Sequence, residues 1–148
     1  MSRGERVPAA TGLARKLGLR SGMTVRLVNP PEDYWRKVLG EDNRPPEFEE
    51  APRGATGNFV HAFVEDDGDL ESMLDGLRDA LHDESMLWIS WRKGGRADAG
   101  DTTRDTVRGI VLGAGIDLVD VKVCAFDDAR SALKFVVRAS ARGRRPPP

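Results

Sequence analysis

The sequence of 148 residues holds a single cysteine, a single tyrosine and two histidines, and aromatic residues make up only 6% of it. A lone thiol, Cys124, closes no internal disulfide and makes no thiolate metal site by itself, which removes disulfide scaffolding and structural zinc from the expected designs. His61 and His82 stand far apart in sequence, so no metal site is expected. No apolar run approaches the roughly 18 to 20 residues that span a bilayer, and the opening MSRGERVPAATG lacks the apolar stretch of a signal peptide. A soluble cytoplasmic protein without membrane contact is the expectation.

Charge is present in quantity but segregated. Charged residues make up 32% of the chain and the hydrophobic fraction is 39%, a balance that suits one folded domain with a heavily charged surface. The net charge of -1 conceals an acidic stretch from Glu65 to Glu84 that carries nine acids against one base, Arg78. The ends are basic: Arg3, Arg6, Arg15, Lys16, Arg20 and Arg26 outweigh Glu5 near the start, and Arg138, Arg142, Arg144 and Arg145 crowd the C-terminus. Basic ends alone make a poor nucleic-acid surface, because phosphate recognition asks for a cationic face on the fold itself. Nucleic acid therefore ranks last among partners, behind an unknown protein or a small anionic ligand.

Residues 1–11 and 139–148 lack periodic apolar positions and are expected to be a mobile N-terminus and a disordered Arg/Pro tail around one domain spanning 12–138. Within that domain, Leu13 to Leu17 predicts a short helix stopped by Gly18. Met23 to Val28 alternates as a strand. Pro30 and Pro31 then suit a helix start, and the helix they begin would bury Tyr34, Trp35, Val38 and Leu39. Residues 41–57 read as a connection with at most a short strand near Phe48. Asn58 to Val64 is apolar on both faces, the mark of a strand covered by helices on each side. In the acidic stretch Leu70, Met73, Leu74, Leu77 and Leu81 recur at helical spacing, which puts His82 on that helix and the acids toward water. Met86 to Trp91 predicts another buried strand, and Asp101 or Thr102 caps a helix with Val107, Ile110 and Val111 inward. Ile116 to Ala125 and Ala132 to Arg138 close the chain as a hairpin. This alternation predicts an α/β fold, a three-layer Rossmann-like sandwich whose mostly parallel sheet ends in an antiparallel hairpin.

Leu17-Gly-Leu-Arg-Ser-Gly-Met-Thr-Val-Arg-Leu-Val28 resembles the lead-in to the first strand of class I S-adenosylmethionine-dependent methyltransferases, and the terminal strand hairpin is similar to theirs. The resemblance implies a methyltransferase-like fold. In that family the first strand enters a glycine-rich loop that lets the cofactor approach the backbone. Here Asn29-Pro30-Pro31-Glu32-Asp33 fills that place, with two residues lacking an N–H and two acids, so no cofactor and no specific S-adenosylmethionine binding are expected. Asn29-Pro30-Pro31 also resembles the Asn-Pro-Pro-aromatic motif of amino-group DNA methyltransferases, with Glu32 at the aromatic position. Leu87-Trp-Ile-Ser-Trp91 with Lys93, Leu118-Val-Asp-Val-Lys-Val-Cys124 and Ser131-Ala-Leu-Lys-Phe-Val-Val-Arg138 resemble a bacterial family, common in actinobacteria, known only as a domain of unknown function. That resemblance implies no site residues.

The candidate ligand cleft lies at the carboxyl ends of the strands, the edge at which open α/β sheets bind ligands. Its expected members are Asn29, Glu65, Asp66, Trp91, Arg92, Lys93, Gly94 and Gly95. Arg92, Lys93 and Arg96 around two glycines suit an anion. Trp88 and Trp91, three apart on one strand, take opposite faces, unless Trp91 turns to line the cleft. His61 reads as a neutral, hydrogen-bonded core side chain and Cys124 as an inert small hydrophobe. Lys122 and Lys134 suit an exposed sheet face or edge. With no nucleophile, base and metal set in view, the first expectation is a noncatalytic binding or regulatory module. The alternative is a divergent transferase that uses Asn29, Glu65, Asp66, Trp91 and Lys93 in the same cleft.

Overall fold

A computed structural model describes residues 12–41, 44–45, 48–51, 55–93 and 102–138. The expected mobile N-terminus, the expected disordered tail and the glycines Gly94 and Gly95 lie outside the described residues. Helix α1 spans Gly12–Leu17, β1 Thr24–Val28, α2 Tyr34–Leu39, β2 Glu49–Glu50 and β3 Gly57–Val64. Then follow α3 Asp67–Asp79, β4 Leu81–Arg92, α4 Arg104–Gly113, β5 Leu118–Ala125 and β6 Arg130–Val137.

The six strands form one sheet in the order β2-β1-β3-β4-β6-β5. The pairs β1–β2, β1–β3 and β3–β4 are parallel, while β6 runs antiparallel to both β4 and β5. Because the short β2 pairs on one side of β1 and all later strands lie on the other, the strand order reverses beside β1, as in doubly wound α/β sheets. The expected Rossmann-like sandwich with one antiparallel strand is the observed fold.

Two apolar clusters fill the space above and below the sheet. On one face Ala14 and Leu17 of α1 and Tyr34 and Val38 of α2 meet Val25, Phe59, Phe63 and Trp88. On the other, Leu70 and Leu77 of α3 and Val107 and Val111 of α4 meet Val60, Ala62, Leu87, Ile89, Trp91 and Leu133. Alternation along β3 and β4 sorts the side chains, since successive residues of a strand point to opposite faces. Trp88 and Trp91 therefore divide between the layers, as their spacing requires. Trp88 also donates its indole N–H to the Leu17 carbonyl at 2.9 Å, which ties α1 to the sheet. Burial of Trp91 under α3 and α4 corrects its placement in the cleft: an indole on the strand face covered by two helices has no access to the strand ends.

Local chemistry sets the element ends. Asp66 adopts an extended conformation and accepts a hydrogen bond from the Asp69 N–H, so it is the N-cap of α3. Thr103 caps α4 in a reciprocal box with Thr106, in place of the expected Asp101 or Thr102. The threonine pair satisfies two backbone donors at once, which a single cap at Thr102 would not do. The prolines sit two and three residues before α2's cap rather than inside its first turn: Asp33 holds the cap position and the Tyr34 N–H reaches back to the Pro31 carbonyl.

The largest departure concerns residues 81–85. Leu81 continues the apolar spacing of α3, yet the helix stops at Asp79 and Leu81 begins β4, paired with Gly57. Register then shifts, and Phe59 pairs with Met86. The intervening residues are held by polar side chains: the His82 N–H donates to Ser85, Ser85 donates to the Gly57 carbonyl, and the Glu84 N–H donates to His82 Nδ1. His82 is thus a buried strand residue and not part of the acidic helix.

Helix α3 otherwise packs as its spacing predicts, with Leu70 and Leu77 buried and Glu71, Asp75 and Asp79 exposed. Replacing Leu77, which is 2% exposed, should remove apolar contacts from the layer between α3 and the sheet. Leu77→Ala is expected to lower unfolding free energy by about 2 to 5 kcal/mol in urea titration, and Asp79→Ala to change it by under about 0.5 kcal/mol. Equal effects would contradict the facial assignment.

Candidate functional site

Strands β1, β3 and β4 deliver their last residues to one edge of the sheet, and β6, running the other way, delivers its first. A cavity of about 180 Å³ there is lined by Asn29, Pro30, Pro31, Phe63, Val64, Glu65, Arg92 and Arg130. Three expected cleft residues, Asn29, Glu65 and Arg92, therefore come together. Asp66 does not join them as a free acid, because its carboxylate is committed to capping α3. Lys93 is exposed beside the cavity and its backbone N–H donates to the Ala129 carbonyl, which fixes the β6 side of the rim.

Asn29 has φ of 55°, in the left-handed region that non-glycine residues rarely adopt. Asparagine is among the residues that tolerate this conformation, so the chain turns sharply off β1 without a glycine. The turn leads into Pro30 and Pro31, and Pro30 also borders a second cavity of about 260 Å³ lined by Val25, Leu27, Trp35, Arg44 and Glu50. Glu50 ends β2 opposite Val25. Trp35 stacks on Phe48 at 5.7 Å between ring centroids, and Arg44 donates to the Phe48 carbonyl, so the wall of this lobe is fixed by packing and a backbone contact. Pro30 thus separates two lobes of one edge.

Arg130, Phe63 and Asp127 were not evident as site residues in the sequence. Arg130 lies directly opposite Arg92 across the β4–β6 pairing, a register that only the folded hairpin defines. Its guanidinium sits 5.9 Å from the Phe63 ring centroid and 2.8 Å from Asp127 Oδ2. Asp127 also accepts the Ala129 and Arg130 N–H groups and lies 3.4 Å from Lys37 Nζ. Burial alone would raise the Asp127 carboxyl, but these backbone and guanidinium donors outweigh it and hold the group below the usual carboxylate range.

Beneath this edge lies a buried polar chain. His61 Nδ1 is 3.0 Å from the Tyr34 hydroxyl and Nε2 is 2.7 Å from the Ser90 hydroxyl, so a neutral imidazole donates to one hydroxyl and accepts from the other. Burial pushes His61 down to about 3 and Tyr34 well above its ordinary value. His61 is therefore the neutral core histidine that its strand position predicts. Burial likewise raises the Cys124 thiol, against the opposing effect of Lys122 and Lys16, which keeps it protonated. Lys122 is exposed on edge strand β5 and donates to the Lys16 carbonyl; Lys134, on β6, is partly buried and lowered by burial and then by Lys122 and Arg20.

A larger trough of about 660 Å³ runs between α3 and α4, lined by Asp67, Glu71, Leu74, Thr106, Gly109, Ile110, Gly113 and Ala114. It is open to solvent and presents no cation. Among the described residues, no helix is long and apolar enough to cross a membrane, and no group of three or more His, Cys, Asp or Glu side chains is placed to hold a metal ion.

With this geometry, the sheet order and the reversal beside β1 define a methyltransferase-like Rossmann fold. Solved structures agree: an S-adenosylmethionine-dependent methyltransferase from Aquifex aeolicus superimposes with a TM-score of 0.54 at 16% identity, covering 88% of this chain and 90% of that one. A ribosomal protein L11 methylase from Lactobacillus delbrueckii subsp. bulgaricus gives 0.55 at 8% identity, covering 93% and 81%. LepI in complex with S-adenosylmethionine gives 0.51 at 16% identity over 91% of this chain but only 41% of its own. At these identities the likeness is one of fold. Neither a protein-family model nor a curated protein sequence matches the chain.

The His61 chain makes stability depend on pH with a definite sign. The native imidazole resists protonation down to about 3, whereas the unfolded residue titrates near 6.5. Stability is full above 6.5 and falls as pH drops toward 3, because the unfolded chain then binds the extra proton, at about 1.4 kcal/mol per pH unit for this group. His82, also lowered by burial, adds in the same direction. Urea titrations between pH 7 and 4 should show this slope, and His61→Gln should lose the part due to His61. An unchanged slope in that variant would contradict a neutral native imidazole.

Proposed function

We propose that this chain is a divergent transferase of the methyltransferase-like fold, using the two-lobed cleft at the carboxyl edge of its sheet. The observation that carries the reading is the joint placement of Asn29 and Glu50 about Pro30. Asn29 supplies the left-handed turn off β1, and Glu50 ends the neighbouring parallel strand and lines the lobe beside it. An acid about twenty residues beyond the first strand is where sheets of this type meet ribose hydroxyls. This favours the transferase over the noncatalytic module.

The lobe at Glu50 suits the nucleoside part of a ligand such as S-adenosylmethionine. Glu50 can accept ribose hydroxyl hydrogens, and Leu27 and Trp35 form an apolar wall. The cavities on either side of Pro30, of about 260 and 180 Å³, give a donor and its acceptor separate places. When bound, such a group supplies an electrophilic methyl on sulfonium. The chain itself would turn the ligand at Asn29, keep water from it with Phe63, and accept the acceptor's proton on the Glu65 carboxylate. Pro30 and Pro31 contribute no N–H donors, so affinity should fall below that of a glycine-rich loop.

A noncatalytic binding module is the second reading. It is favoured by those same prolines and by His61, whose two ring nitrogens are both engaged away from the cleft. Calorimetric titration with S-adenosylhomocysteine separates the two. The transferase reading predicts saturable binding that Glu50→Gln weakens by about tenfold or more, the scale of one charge-assisted hydrogen bond. Absence of saturable heat at millimolar ligand would return the noncatalytic module to first place.

A further inference from the structure

Arg92 and Arg130 are direct cross-strand partners at the end of the β4–β6 ladder. Like charges placed opposite each other on an antiparallel pair repel, and nothing in β-sheet packing asks for two arginines at this register. Arg130 is compensated: Asp127 holds it at 2.8 Å and the Phe63 ring lies beneath its guanidinium. Asp127 has no capacity left for the other arginine, since it also receives two backbone N–H groups and stands 3.4 Å from Lys37. Among the described residues Arg92 makes no ion pair and no side-chain hydrogen bond. Glu65 lines the same cavity but is not within ion-pair distance of either guanidinium. The edge thus gathers Arg92, Arg130 and Lys37 against Asp127 and Glu65, with one guanidinium left over among the groups that line the small cavity.

We propose that the Arg92–Arg130 pair seats the oxyanion, a carboxylate or phosphate, of a small acidic acceptor that enters the 180 Å³ lobe. Guanidinium groups present N–H donors in a planar fork that matches such oxyanions in bidentate fashion. A bound oxyanion removes the repulsion between the two strands and gives Arg92 its missing partner. The lobe's volume fits a small acid and excludes a folded polyanion. The acceptor role rests on the transferase reading, with the donor lobe at Glu50 and the acceptor lobe at the arginines on either side of Pro30. Glu65, which lines the same cavity, is the group placed to take up the proton that a hydroxyl or amine elsewhere on that acceptor loses on transfer.

Thermal denaturation and calorimetry of the full chain test this with inorganic phosphate and succinate, each against sodium chloride at equal ionic strength. Phosphate, succinate or both should raise the thermal midpoint saturably, because a ligand that binds only the native state stabilises it. The stronger of the two identifies the oxyanion. Arg92→Ala should abolish that rise and weaken the anion by about tenfold or more, while its own midpoint without anion equals or exceeds that of the unaltered protein. Arg92→Lys, which keeps the charge but not the fork, should recover only part of the binding. Midpoints that follow ionic strength alone, a rise unaltered in Arg92→Ala, or stabilisation only by long polyanions would each overturn the proposal. Anion binding without S-adenosylhomocysteine binding would remove the transferase reading and keep the anion seat; the opposite pattern would remove the seat alone.

Discussion

Burial of His61 in the middle of β3 is the constraint on which the rest of the arrangement depends. A fully buried imidazole must have partners for both nitrogens, since an unsatisfied polar group in the core costs several kcal/mol. One partner, Ser90, lies on the neighbouring strand, and the other, Tyr34, is the first residue of α2. The pair of bonds therefore fixes where α2 begins relative to the sheet. Tyr34 further makes edge contacts with Trp35 and Phe63 and stacks on Phe126. With α2 anchored, the loop from Asn29 to Asp33 has one course across the carboxyl edge, and that course divides the cleft at Pro30.

Covered on both faces, β3 and β4 leave only their ends available for chemistry, and the reversal of strand order beside β1 opens a gap there. Helices α3 and α4 both start at this edge, and each cap takes one first-turn donor, Asp66 that of Asp69 and Thr103 that of Thr106. What remains is a set of charged side chains at strand ends, Glu50, Glu65, Arg92 and Arg130, of which Arg130 is paired with Asp127. The acids of α3 serve another purpose, since they face solvent and complement the positive end of that helix through Asp67 and Asp69.

Much of this was legible from residues alone, for identifiable reasons. The continuous apolar run of β3, the 3.6-residue spacing of Leu70 and Leu77, and the odd separation of Trp88 and Trp91 each admit one arrangement in a layered α/β fold. Leu81 misled because it lies four residues after Leu77 and extends the helical stripe without being helical. Its strand pairing with Gly57 depends on Ser85 and His82, whose side chains replace ladder bonds that the sequence pattern does not display. The cleft was half legible. Asn29, Glu65 and Arg92 follow from strand ends, and Glu50, with Glu49, from a spacing of about twenty residues after the first strand, whereas Arg130 requires the hairpin register. Trp91 and Asp66 left the cleft because one points under the helices and the other is a cap.

The central claim is that ligands meet this protein at the carboxyl edge, even though the trough between α3 and α4 is the larger concavity at about 660 Å³. Amide shift mapping in solution, with S-adenosylhomocysteine added to the isotopically labelled chain, decides between the two surfaces directly. The account predicts saturating changes at Leu27, Asn29, Trp35 and Glu50, with the amides of Gly109, Ile110 and Gly113 unmoved. Changes concentrated on α3 and α4, with the Asn29 and Glu50 amides still, would contradict it.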